Sequence, residues 1–81
     1  MKNVKNNVVA KLLKELRMEK QKAEGRLISC MEVSTDLNFS PRYVAACETG
    51  DCNPSAGRLR MLVEYYGITL QEFLERVETL V

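Results

Sequence analysis

At 81 residues the chain is long enough for one domain with a modest core, so a second copy is a natural source of added stability. A hydrophobic fraction of 46% with 28% charged residues excludes wholesale disorder. A net charge of +1 gives no general basic excess for nucleic acid, so any such surface must come from local segregation of charge.

Residues 1–7 (MKNVKNN) are polar, follow no period and read as a frayed end. A first helix is expected from near Val8, where Val9, Leu12, Leu13 and Leu16 repeat at i, i+3, i+4, i+7. The polar stretch that follows fits either more helix or a loop, with Gly25 as a stop signal. Ser29 and Glu32 form a capping box opening a second helix over Cys30–Leu37. Val33 and Leu37 are its buried pair, and the small Ser34 allows another helix to come close. Asn38 suits the left-handed position after a helix end.

Ser40 followed by Pro41 predicts a third helix from Pro41 to about Thr49, because proline at the first helical position forfeits no bond. Val44 and Cys47 are its apolar pair and Gly50 its stop. Gly50 to Pro54 is loop by composition. Ser55 caps a fourth helix carrying Leu59, Leu62, Val63 and Tyr66, ended by Gly67. Thr69 and Glu72 form a second capping box before a fifth helix with Leu70, Phe73, Leu74 and Val77. The expected fold is all-α with five helices. Helices 2 and 3, short and joined by a tight turn, read as a helix-turn-helix whose second helix fits a DNA major groove.

Cys30, Cys47 and Cys52 are spaced 17 and 5 apart and histidine is absent. That matches no zinc pattern, so no metal or cofactor is expected, and reduced thiols in a cytoplasmic protein are the simplest account. Val8-Val9-Ala10 is too short for the apolar core of a signal peptide, and no apolar run approaches the roughly 20 residues needed to span a membrane. With no histidine, no phosphate-cradling glycine loop and no paired carboxylates, an enzyme is a poor reading.

The runs SPRYVAACETGDCNPS and LRMLVEYYGITLQEFL resemble the lambda-repressor-like, or Xre/Cro-type, helix-turn-helix regulators. The resemblance extends over Leu12 to Leu74. It implies a DNA-binding transcriptional regulator of repressor, phage- or plasmid-control or antitoxin type, acting as a homodimer on an operator of two half-sites. It further implies an ion pair between Arg17, late in helix 1, and Glu48, at the end of helix 3. Four positions depart from the family pattern. The Arg17–Ser29 link is longer, Cys30 replaces a common glutamine, Asp51 lies in a loop that is often basic, and Asn38 replaces a glycine.

Under this resemblance the base-facing residues are Pro41, Arg42, Ala45 and Ala46, and only Arg42 offers hydrogen bonds, matched to guanine O6 and N7. Backbone contacts fall to Ser40, Tyr43, Asn53 and Arg58; Lys20, Lys22 and Arg26, in the longer link, read either as an added basic arm or as a solvated charge run. Val77, Leu80 and Val81 are the expected dimer surface, with closure of the monomer core as their alternative role. Near-neutral charge, Asp51, Cys30 and the two alanines also fit an alternative, a protein-interaction module on this fold with weak or no DNA binding.

Overall fold

Each apolar stripe becomes one buried helix face in the computed structural model, which describes the backbone of residues 4–80 and the side chains of residues 8–80. The order is α1 (Val4–Glu24), α2 (Cys30–Asp36), α3 (Tyr43–Thr49), α4 (Ala56–Tyr65) and α5 (Leu70–Leu80). No strand occurs among the described residues, and none of their helices is long and apolar enough to cross a membrane.

The longest helix organises the others, with α1 packing on α3, α4 and α5, α2 on α3, and α4 on α5. Leu12, Leu13 and Leu16 of α1 are almost fully buried against Val33, Val44, Leu62, Val63 and Phe73. Ile28, in the polar link before α2, is fully buried too. A lone apolar residue has no period to betray it.

Several expected boundaries move. The first helix begins at Val4 rather than near Val8, so the stretch expected to fray is helical from Val4; residues 1–3 lie outside the description. The polar stretch after Arg17 is mostly helix, since α1 runs to Glu24 and Gly25 starts the loop. The third helix begins at Tyr43, not Pro41. Residues 40–43 instead form one turn, in which the Tyr43 N–H donates to the Ser40 carbonyl at 3.0 Å. Arg42 takes the cap position at φ −99°, ψ 1° and supplies no side-chain cap. Leu37 forms the C-cap of α2 and is only half-buried. In the fifth helix Phe73 and Val77 are buried while Leu74 is 46% exposed.

The close approach of α2 and α3 has a specific cause. Ser34 is fully buried, and its hydroxyl accepts the Val44 N–H at 3.1 Å. This N–H is one of the orphan donors of the first turn of α3, normally met by a local cap. Here another helix meets it. The α2 end closes with Phe39 N–H on the Ser34 carbonyl (2.8 Å) and Asn38 N–H on that of Thr35 (3.1 Å). This is a Schellman motif, and Asn38 sits at its left-handed position with φ 61°. Gly50, at φ 86°, ends α3 with the same pair of bonds, to Ala46 and Cys47.

Candidate functional site

The outward face of α3 follows from its register. Arg42, Ala45, Ala46 and Thr49 fall at i, i+3, i+4 and i+7, opposite Val44 and Cys47, which anchor the helix in the core. These four residues and Asp51 line one shallow depression. Arg42, Ala45 and Thr49 are exposed and Ala46 is half-buried. Among the described residues no hydrogen bond or ion pair engages the Arg42 guanidinium, leaving its donors free. Pro41 is exposed in the turn before α3. Thr49 and Asp51 are members of this face that the sequence reading did not include. The Thr49 hydroxyl lies 3.0 Å from the Ala46 carbonyl and 3.1 Å from Asp51 Oδ2. The Asp51 carboxylate thus sits at one end of the depression and Arg42 at the other. The i+7 position of Thr49 was the available signal for its membership.

The tilt of α3 on α1 is fixed by charge. Arg17 donates from Nε to Glu48 Oε2 at 2.8 Å and from Nη2 to Oε1 at 3.0 Å. Its Nη1 donates to the Ile28 carbonyl at 2.9 Å. The side chains are only 14% and 6% exposed. The bond to Glu48 raises the Arg17 pKa against the opposing effect of burial. One guanidinium therefore ties α1, the link before α2 and the end of α3 together through a fork whose geometry matches a carboxylate. The Tyr66 hydroxyl lies in this region, where burial and then the Glu48 charge push its pKa up. Among the described residues it has no hydrogen-bond partner.

The remaining candidate residues divide. Ser40 and Asn53 are exposed in the loops on either side of α3. Tyr43 is half-buried, with its ring centroid 4.9 Å from that of Phe39 at a 56° tilt. Burial raises the Tyr43 pKa and the neighbouring Arg58 opposes it. Arg58, in the first turn of α4, lies over both rings, 5.1 Å from the Tyr43 centroid and 5.7 Å from that of Phe39. Arg26 forks onto Glu32 at 3.1 and 2.7 Å and reaches Glu24 at 3.3 Å. It fastens the end of α1 and the link after it to α2 rather than standing as a free cation. Lys20 pairs with Glu24 at 2.6 Å and lies over the Tyr65 ring, while Lys22 is exposed. Val77 is buried in the monomer core and is not available as a dimer surface; Leu80 is 53% exposed and Val81 lies outside the described residues.

The cysteines are free thiols. Burial, then the neighbouring Cys52, pushes the Cys47 thiol up to about 12, and burial also raises Cys30. Both stay protonated at neutral pH, which disfavours nucleophilic chemistry. No group of His, Cys, Asp or Glu among the described residues is arranged to hold a metal ion. No protein-family model, curated protein or solved structure was found to match the chain.

Proposed function

We propose that the chain is a sequence-specific DNA-binding transcriptional regulator of the lambda-repressor-like helix-turn-helix type, acting as a dimer on a two-half-site operator. The observation that carries this reading is the outward face of α3. A short helix is anchored by Val44, Cys47 and the Arg17–Glu48 fork, and it presents an unengaged arginine and an exposed alanine, Ala45, with Ala46 half-buried beside them. A reading helix needs that division between a fixed inner face and an unoccupied outer one. Arg42 is the residue suited to guanine, the alanine methyl groups suit thymine methyls, and Arg58, Ser40, Tyr43 and Asn53 are the backbone partners.

Selection of bound sequences from a random duplex pool, followed by fluorescence titration, tests this. A two-half-site consensus is expected, with affinity falling steeply with salt. Arg42→Ala should cost about 1–3 kcal/mol and relax preference at about one base pair per half-site. Equal binding of this variant to all operator versions would remove Arg42 from the reading role.

A second reading, a protein-interaction module on the same scaffold, draws support from Asp51 at the edge of the α3 face and from the pairing of Arg26 and Arg60 with carboxylates. It predicts no duplex binding at high micromolar protein and low salt.

A further inference from the structure

Three elements meet at the N-terminal end of α3. Phe39 comes from the turn after α2, Tyr43 opens α3, and Arg58 projects from the first turn of α4. The two rings pack partly buried against the core, 4.9 Å apart, and the Arg58 guanidinium lies 5.7 and 5.1 Å from their centroids. Arg17, Arg26 and Arg60 are each engaged by a carboxylate. Among the described residues none engages Arg58 within ion-pair distance. The aromatic faces attract the guanidinium, and the Tyr43 hydroxyl also draws on it, which opposes the rise that burial gives the Tyr43 pKa; with five N–H donors the group keeps others for an anion. An arginine held this way loses less rotamer freedom when it binds an anion than one that samples solvent. Three arginines have no carboxylate within ion-pair distance among the described residues, Arg42, Arg58 and Arg76. Arg76 is on α5, whereas Tyr43, the stacking partner of Arg58, is the chain neighbour of Arg42, so the other two belong to the same end of α3.

We propose that Phe39 and Tyr43 are positioning residues that hold Arg58 as a preformed contact for a phosphate of the duplex backbone, beside the base-reading Arg42. The ligand class, a phosphodiester, rests on the DNA-binding reading; the platform itself rests on ring and guanidinium geometry. The platform sets affinity rather than sequence preference, because every duplex carries the same phosphates.

The test is a double-mutant cycle by fluorescence titration over several duplexes and salt concentrations. Phe39→Leu should weaken binding about two- to fivefold on every duplex alike, the range that an exposed cation–π contact supplies. Phe39→Tyr should keep wild-type affinity. Arg58→Ala should weaken binding further and lower the slope of log affinity against log salt by about 0.9. Phe39→Leu should add nothing once Arg58 is gone. Equal losses from Phe39→Leu with and without Arg58 would mean a role in folding only and would overturn the proposal, as would no loss at all.

A second readout separates the platform from the DNA reading. In a 1H–15N spectrum the Arg58 Nε signal should shift on addition of inorganic phosphate in the wild type and in Phe39→Tyr, and much less in Phe39→Leu. If no duplex binds but this signal responds, the regulator reading falls and the stacked arginine stands as an anion site. If the signal ignores phosphate, the proposal is overturned whatever the duplex titration shows.

Discussion

Removing Arg17 tests how much of the fold depends on one guanidinium. Arg17→Met keeps the apolar stem but removes the guanidinium, and with it three N–H contacts, two to Glu48 and one to the Ile28 carbonyl. Glu48, 6% exposed, would then hold a nearly dry carboxylate without its partner. Breaking one side of a buried pair costs about 3–5 kcal/mol, and the 14% exposure of the Arg17 side chain favours the lower end. A loss of about 3 kcal/mol is a large share of the roughly 4–12 kcal/mol expected for a chain of this length. It should lower Tm by roughly 12–24 °C. Glu48→Leu should cost somewhat less, because Arg17 keeps the Ile28 carbonyl and can turn its freed edge to water. Urea unfolding of both single variants and the double variant gives the coupling directly. The double variant should recover at least about 1.5 kcal/mol relative to the sum of the singles. Additivity to within about 0.5 kcal/mol would refute the argument that the pair acts as one buried unit.

Other predictions concern single groups. Tyr66→Phe removes a buried hydroxyl that has no partner among the described residues, so urea unfolding should find stability unchanged or raised by about 1 kcal/mol; a loss above that would mean the hydroxyl is bonded. Asn38→Ala, at φ 61°, should cost about 1 kcal/mol while Asn38→Gly should cost nothing or stabilise; equal effects would show that the left-handed strain is absent. Burial, then the Asp36 carboxylate 2.6 Å from its hydroxyl, raises the Tyr65 pKa from 10.0 to about 12. The folded state thus holds the neutral phenol, so its contribution to stability is complete below about pH 10 and is lost as pH rises towards 12. Phenolate absorbance should place this tyrosine late in the titration, and Asp36→Asn should bring it only part of the way back, because burial is the larger cause.

The helix count and most of the core were legible because stripes such as Leu12, Leu13, Leu16 and Leu59, Leu62, Val63 repeat at the helical period. Ile28 was not, since a single apolar residue in a polar link carries no period. The start of α3 was misplaced for a tertiary reason. Ser40-Pro41 carries a local start signal, yet the hydroxyl that receives the Val44 N–H belongs to Ser34, ten positions earlier. At the candidate site Arg42, Ala45 and Ala46 follow from register, and the Arg17–Glu48 fork was implied by resemblance. The stacking of Arg58 on Phe39 and Tyr43 depends on how three separate elements converge, and no spacing in the chain encodes that. On sequence alone Val77 fits either a partner surface or the monomer core, because counting apolar residues on α5 does not reveal how wide a face α1 and α4 cover; the structure buries it in the core.

The Ser34–Val44 bond also has a kinetic meaning. A seven-residue helix does not persist alone in water, because nucleation costs more than so few turns return. The third helix has no side-chain cap of its own, and the N–H of Val44 in its first turn is met by the Ser34 hydroxyl of α2. Its outward face should therefore be among the last surfaces to form as the chain folds and among the first to disappear when α2 loosens. A ligand bound to that face would hold closed the least self-sufficient part of the molecule.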